Sequence, residues 1–140
     1  PGVVPQYGYE RVPLPEATDW FNENVMVVAM IESEQAVANA EAIAAVDGID
    51  ALFIGSSDLT YDMGINSQYG HERMQQAVET VCNAARNAGK VAGMGGLRED
   101  EDWTRYVACG MRMLLTENDL SLLTMRARER AAFFNGLPTK

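Results

Sequence analysis

Histidine and cysteine are scarce in this 140-residue sequence, which holds one histidine, His71, and two cysteines, Cys82 and Cys109. No CxxC pair or His/Cys cluster exists, so the sequence offers no structural zinc site. Both cysteines fall within apolar helical patterns, which is typical of small core residues in a reducing compartment. His71 directly precedes a predicted helix, which favours a capping or surface role, and no Ser–His–Asp arrangement is indicated.

Positively charged residues are also few. The sequence has 11 Lys and Arg residues and 20 Asp and Glu residues, which gives a net charge of −9. Nucleic acids and anionic membranes bind basic patches, so neither is an expected partner. No apolar run approaches the roughly 20 residues of a membrane span, and no signal peptide is visible. We therefore expect a cytoplasmic protein. No GxGxxG or P-loop pattern is present, so dinucleotide and triphosphate binding have no support.

The length and the hydrophobic content of 47% are those of one globular domain. The chain opens at Pro1 without a methionine, on a stretch, residues 1–13, that matches no strand or helix pattern. This predicts an irregular loop and a start in the middle of a longer protein. A short helix is predicted over residues 15–22, with Trp20 and Phe21 as its packing residues.

Two apolar runs end abruptly at polar residues. Val25–Ile31 is followed by Glu32, and Ile49–Ile54 is followed by Gly-Ser-Ser-Asp at residues 55–58. Between them lies an alanine-rich segment with helical periodicity, which Ser33 can cap. Such a strand–helix–strand unit builds a parallel sheet. Both acidic groups would then lie at the carboxyl edge of the sheet, where α/β enzymes place their active sites.

The rest of the chain repeats this order, so that residues 1–24 form a loop and a short helix and residues 25–140 form four βα units. Four such units are half of a (β/α)8 barrel, and a small open doubly wound sheet is the alternative. Repetition alone does not choose between them. The remaining predicted elements are a loop at Leu59–Gly70, helices at Glu72–Ala88, Glu99–Ala108 and Asp119–Phe134, and strands at Lys90–Met94 and Met111–Leu115.

Glu32 and Asp58 are candidate metal ligands. Neighbouring strands lie about 4.8 Å apart, so carboxylates at their ends can share one divalent cation. Two carboxylates leave most coordination positions of a hard ion open, which suits Mg²⁺ or Mn²⁺ with an oxygen-rich substrate. The alternative is that each carboxylate caps or salt-bridges its own loop.

Gly55, Ser56 and Ser57 form a second candidate site. Successive backbone N–H groups in such a turn can bind an anion, for instance a substrate carboxylate. The alternative is an ordinary turn in which glycine supplies a tight bend. Lys90 opens a predicted strand at the opposite end, which argues against a Schiff-base lysine. Met26, Met30 and Met94 are predicted to fill the core.

The sequence resembles the HpcH/HpaI aldolase family, metal-dependent (class II) pyruvate aldolases related to the citrate lyase β chain. The matching runs are AMIES at 29–33, NAEAIAAVDGIDALFIGSSDLTYDMG at 39–64 and AARNAGKVAGM at 84–94, within a resemblance over about residues 25–123. It implies a (β/α)8 barrel, with this chain as the C-terminal half that supplies strands five to eight. It also implies that Glu32 and Asp58 bind a divalent cation, with Mg²⁺, Mn²⁺ or Co²⁺ as candidates. The amides of residues 55–57 would hold the carboxylate of pyruvate.

The activity implied by the resemblance is cleavage or formation of a carbon–carbon bond in 2-oxo-acid aldols through a pyruvate enolate. The partners implied are pyruvate or another 2-oxo acid, an aldehyde, the N-terminal half of the same barrel and, through the last helix, further copies in a homo-oligomer. The family's catalytic histidine and arginine belong to that first half, so this chain carries no assigned catalytic residue. Three positions depart from the family: Ser56 replaces a common proline, Met30 a frequent glutamine and Gly95 an occasional leucine.

Two other functions stay open. A lyase or synthase of the same scaffold that acts on acyl-CoA substrates would need an adenosine-binding surface, which no pattern in the sequence indicates. A non-catalytic half-barrel binding module would fit the short chain and would fold alone.

Overall fold

The computed structural model describes residues 5–138, which form an α/β structure around one parallel sheet. The strand order β1-β2-β3-β4 follows the chain, so each strand pairs with the next one. This order is that of consecutive strands in a (β/α)8 barrel, and it confirms the predicted parallel βα repeats. The strands are β1 (Val28–Ile31), β2 (Ala51–Gly55), β3 (Val91–Gly95) and β4 (Met113–Leu115).

Helices precede the sheet, connect its strands and follow it, in the predicted order of one helix and then four βα units. A short 3₁₀ turn at Pro5–Tyr7 lies within the predicted N-terminal loop, whose first four residues are outside the described part. The α-helices are α1 (Leu14–Asn24), α2 (Glu34–Ala38), α3 (Ala40–Ala44), α4 (Ser56–Asp62), α5 (Glu72–Asn87), α6 (Asp100–Cys109) and α7 (Asp119–Asn135).

The core lies between β2 and the helices that cover its outer face. Leu52 and Ile54 of β2 are completely buried. The apolar stripe of α5 packs against them, as its periodicity predicts, and each fully buried Val or Met side chain contributes about 1.5–3 kcal/mol to stability. Cys82 joins this stripe, and burial raises the pKa of its thiol to about 12, with the neighbouring Cys109 adding to the shift. The stripe comprises Met74, Ala77, Val78, Val81, Cys82, Ala84 and Ala85.

The prediction for the first strand was wrong in extent and in burial. β1 begins at Val28 rather than Val25, and only Ile31 of its four residues is buried. A strand buried on both faces needs a neighbour on each edge and a layer on each face. β1 is the edge of the sheet, so Met26 and Met30 are half exposed rather than core residues, whereas Met94 of β3 is buried as predicted.

Two connections also differ from their prediction. The helix after Glu32 is divided at Asn39, whose amide bonds to carbonyls of both Gln35 and Ala36 in a turn between α2 and α3. The segment predicted as a loop over Leu59–Gly70 begins inside a helix, because α4 covers Ser56–Asp62. His71 caps α5 as expected, since its Nδ1 accepts the amide of Arg73 at 3.1 Å.

Apolar side chains remain exposed on β4 and α7. The last helix, α7, has no buried residue within its described bounds, although Asn118 caps it in a reciprocal capping box with Ser121. Leu115 of β4 and Leu123 and Phe134 of α7 are all more than half exposed. Among residues 5–138, no helix is long and apolar enough to cross a membrane.

Candidate metal and substrate site

Glu32 lies at the carboxyl edge of the sheet, directly over the end of the neighbouring strand. Ile31 pairs with Ile54, which places Glu32 level with Gly55. A Cβ atom on Gly55 would lie 3.2 Å from Glu32 Cγ and 3.6 Å from its carboxylate carbon. Residue 55 has φ −79°, a value that any residue can adopt, so the backbone conformation does not require a glycine here. The missing side chain instead leaves the space that Glu32 occupies.

Asp58 lies at the same edge, in the first turn of the helix that follows β2. β2 ends at Gly55, and α4 begins at Ser56 without any loop between them. Asp58 and Glu32 are both exposed and come from adjacent parallel strands. The structure therefore places both predicted ligands at one end of β1 and β2.

Neither carboxylate is used by its own loop. The salt bridges among the described residues involve other acids, namely Glu34, Glu101, Asp102 and Glu129. Asp62, one turn after Asp58, accepts the amide of Glu34 at 2.8 Å and so ties α4 to the start of α2. The structural contact at this edge is thus made by Asp62, and neither candidate ligand takes part in it.

Ser56 is fixed by its side chain, which leaves only its backbone for a ligand. Its hydroxyl is buried and donates to the carbonyl of Gly95 at 2.6 Å, which joins the start of α4 to the end of β3. Buried Thr60 donates to the carbonyl of Ser56 at 2.8 Å. Amides in the first turn of a helix have no partner inside the helix. The predicted turn of residues 55–57 is therefore a strand end followed by a helix start.

The donor set fits a hard divalent cation. Two carboxylate oxygen donors with open positions suit Mg²⁺ or Mn²⁺, which retain water and bind oxygen-rich substrates. Within residues 5–138 no cluster of three or more His, Cys, Asp or Glu side chains suits a metal. A cation held here would thus depend on Glu32, Asp58 and ligands from outside this set.

Met30 lies beside the candidate site, at the position where the resemblance places a glutamine near the metal in several family members, although its apolar side chain was also predicted to fill the core. Its methyl carbon lies 3.2 Å from the point where a Cβ of Gly55 would be, beside the stem of Glu32. Met30 and Glu32 are two residues apart on one strand and so face the same side. The two-residue alternation of side chains along a strand also predicts that Met30 lies on the same side as Glu32.

We expect Gly55→Ala to weaken metal binding with little loss of stability. The new methyl group would contact the ends of two flexible side chains, Glu32 and Met30, at 3.2 Å and would displace both by a few tenths of an ångström. Metal titration by calorimetry should show about tenfold weaker binding, as for changes that misalign a ligand, and urea unfolding should change by less than about 1 kcal/mol. Gly136→Ala is the control, because Gly136 has φ −84° and its Cβ position lies at ordinary contact distances of 3.5 and 3.6 Å from the Ala132 and Phe133 carbonyls. Equal metal affinity in Gly55→Ala and the wild type would refute this role of Gly55.

Comparisons with known proteins identify the family. The family model for HpcH/HpaI aldolase/citrate lyase matches residues 6–113. The chain belongs to this family. A hydroxypyruvate/pyruvate aldolase of Pseudomonas aeruginosa is 38% identical over 116 residues, which cover 82% of this chain and 42% of that protein.

Two solved structures from these comparisons share the fold. An HpcH/HpaI aldolase from Desulfitobacterium hafniense has a TM-score of 0.80 at 29% identity, over 94% of this chain and 51% of that one. A citrate synthase has a TM-score of 0.72 at 27% identity, over 91% of this chain and 52% of that one. The chain spans between 39% and 56% of the length of the curated relatives compared. This chain therefore has the architecture of a partial (β/α)8 barrel of the HpcH/HpaI type.

Proposed function

We propose that the chain is the C-terminal half, residues 1–140, of a class II pyruvate aldolase, a carbon–carbon lyase that acts on 2-oxo-acid aldols through a pyruvate enolate. The observation that carries the proposal is the placement of Glu32 and Asp58 at the carboxyl ends of adjacent strands in a member of this family. The active sites of (β/α)8 barrels lie at that end.

Glu32 and Asp58 would hold a divalent cation, with Mg²⁺, Mn²⁺ or Co²⁺ as candidates. When bound, such a cation is a Lewis acid that polarises the keto oxygen of pyruvate and makes its methyl protons acidic. Glu32 is supported by the space over Gly55, and Asp58 by the fixed start of α4. The negative charge of the two side chains favours cation binding, because two carboxylates at one edge otherwise repel each other.

The backbone amides of Gly55, Ser56 and Ser57 would bind the substrate carboxylate. Support comes from the hydrogen bond of Ser56 to Gly95 and from that of Thr60 to the Ser56 carbonyl, which fix this backbone without using its amides. Amides held in place cost no reorganisation when charge develops on the substrate. Proton transfer to the aldehyde oxygen is assigned to residues of the N-terminal half, since this chain has no assigned catalytic residue.

The test is exchange of the methyl protons of pyruvate in deuterium oxide, followed by NMR on the full-length protein that contains this chain. We expect exchange with Mg²⁺ or Mn²⁺ and a loss of at least about hundredfold with a chelator. Acetone, a ketone without a carboxylate, is the control substrate and should exchange no faster than in buffer. Pyruvate exchange that is unaffected by chelation would refute the metal-dependent mechanism, and no exchange with any metal would refute the aldolase.

An acyl-CoA-dependent reaction of the citrate lyase or citrate synthase type is the second candidate. The similarity to a solved citrate synthase at 27% identity favours it. The two candidates differ in the nucleophile, because an aldolase adds the enolate of a 2-oxo acid to an aldehyde, whereas the alternative adds the enolate of an acyl-CoA thioester to a 2-oxo acid. Product formation from an acyl-CoA, with no pyruvate exchange, would favour the second one. A non-catalytic half-barrel would show neither reaction and would be monodisperse as a 140-residue chain.

We propose further that the protein is a cytoplasmic homo-oligomer. The free cysteines Cys82 and Cys109 suit a reducing compartment. The exposed apolar residues of α7, among them Leu123 and Phe134, suit contact with another part of the assembly. Light scattering of the full-length protein measures the oligomeric state directly.

A further inference from the structure

Tyr69 lies in the segment between α4 and α5, and its backbone is tied to α6. The carbonyl of Tyr69 accepts a hydrogen bond from the hydroxyl of Tyr106. Burial, assisted by the negative charge of Asp102, raises the pKa of Tyr106 to about 12. The Tyr106 hydroxyl therefore keeps its proton at neutral pH and remains a donor.

The next residue, Gly70, lies against the same helix, α6. A Cβ on Gly70 would lie 3.3 Å from Nη1 of Arg105 and 3.6 Å from Oδ1 of Asp102. These two side chains form a salt bridge of 2.6 Å on α6. The backbone at residues 69–70 therefore sits directly against the charged pair and Tyr106, which limits where the Tyr69 ring can lie.

The hydroxyl of Tyr69 reaches the candidate site. It lies 3.4 Å from Oγ of Ser57, the residue that precedes Asp58. Ser57 Oγ also lies 3.4 Å from the point where a Cβ of Gly96 would be, at the end of β3. The two hydroxyl groups thus lie at the carboxyl edge of β2 and β3, beside the proposed carboxylate-binding amides.

The separation of the two hydroxyl oxygens suits a shared acceptor better than a bond between them. An O–H···O hydrogen bond is usually about 2.5–3.0 Å long, which is shorter than the 3.4 Å observed here. Two donors that each lie about 2.7 Å from one acceptor oxygen can be 3.4 Å or more apart. A carboxylate oxygen accepts two such bonds and is a strong acceptor because it is charged.

We propose that Tyr69 is a substrate-binding residue whose hydroxyl, together with that of Ser57, donates to one carboxylate oxygen of the bound 2-oxo acid. The proposal rests on the proposed function for the identity of the ligand. Tyr69 would add a side-chain contact to the backbone amides and would select ligands with an anionic oxygen at this position. α6 takes part indirectly, because Tyr106 donates to the segment that carries Tyr69 and Arg105 packs beside it.

The experiment compares Tyr69→Phe with Tyr61→Phe in the full-length protein. Tyr61 lies one turn after Ser57 on α4, is 74% exposed and has no hydroxyl hydrogen bond among the described residues, so it provides the same chemical change outside the hydroxyl pair. Loss of one hydrogen bond to a charged acceptor predicts a KM for pyruvate exchange that is about threefold to tenfold higher in Tyr69→Phe. The Kd for pyruvate from calorimetry should rise equally, with kcat and the thermal midpoint unchanged. Tyr61→Phe should match the wild type.

A double variant tests whether the two hydroxyls share one oxygen. Ser57→Ala should also raise KM, and Tyr69→Phe combined with Ser57→Ala should raise it by less than the product of the single effects. An unchanged KM and Kd in Tyr69→Phe, or strictly multiplicative effects, would overturn the proposal. If the wild type binds pyruvate without exchanging its protons, the proposed function fails, and the Kd values still decide the role of Tyr69.

Discussion

Replacement of Asp58 by asparagine is expected to reduce pyruvate exchange by at least about hundredfold and to weaken metal binding by at least as much. Asparagine has nearly the same shape but carries no charge, so it is a poorer ligand for a hard cation. Asp58 is exposed and forms no salt bridge among the described residues. The substitution should therefore leave the free energy of unfolding within about 0.5 kcal/mol of the wild type.

Asp62→Asn is the matched control, because Asp62 lies on the same helix but serves α2. Its carboxylate accepts the amide of Glu34 at 2.8 Å, and asparagine keeps an oxygen that can accept this bond, so stability should stay within about 0.5 kcal/mol of the wild type. Metal affinity and exchange should stay within about twofold. The two variants therefore make the same chemical change on one helix, and only Asp58→Asn should lower metal affinity and activity. Wild-type exchange in Asp58→Asn, at low metal concentration, would exclude Asp58 as a ligand.

Local periodicity predicted the parts of the fold that depend on local sequence. Each predicted strand and long helix exists, and the α5 stripe from Met74 to Ala85 is buried as its spacing indicates. The placement of Glu32 and Asp58 at one edge also followed from sequence, since consecutive βα units put strand ends together. The strands were recognised because each apolar run ends at polar residues.

The errors concern features that depend on distant residues. α4 looked like a loop because Asn, Gly and Asp are frequent after Tyr61, yet Thr60 and Ser56 hold the helix start through contacts with the Ser56 and Gly95 carbonyls. The exposure of β1 depends on what lies beside it and not on its composition. No pattern of apolar residues contains that information.

Gly55 has a structural constraint that its sequence pattern does not reveal. Sequence reasoning considered it for the N–H group that it offers, or for the bend that glycine allows. Its φ of −79° is open to any residue, and the constraint is the approach of Glu32 and Met30 to within 3.2 Å of its Cβ position. Only the pairing of β1 with β2 reveals this contact.

Substitution of Gly96 by alanine is expected to cost about 3 kcal/mol or more of stability, because two penalties combine. The residue has φ +88°, where a side chain costs roughly 1–2 kcal/mol. The new Cβ would also lie 2.5 Å from the Ser56 hydroxyl. Ser56 would have to move and break its 2.6 Å bond to Gly95, and a buried acceptor left without a partner costs about 1–3 kcal/mol.

Two further variants separate these penalties in urea unfolding of the full-length protein. Gly89→Ala, at φ +69° with open space around its Cβ position, should show the backbone term alone, about 1–2 kcal/mol. Ser56→Ala removes the clashing oxygen, so it should destabilise the wild type but destabilise Gly96→Ala less or not at all. Such non-additivity is the sign of direct contact. Equal losses in Gly96→Ala and Gly89→Ala would mean that a Cβ at residue 96 does not displace the Ser56 hydroxyl, which would contradict the close approach of residue 96 to Ser56.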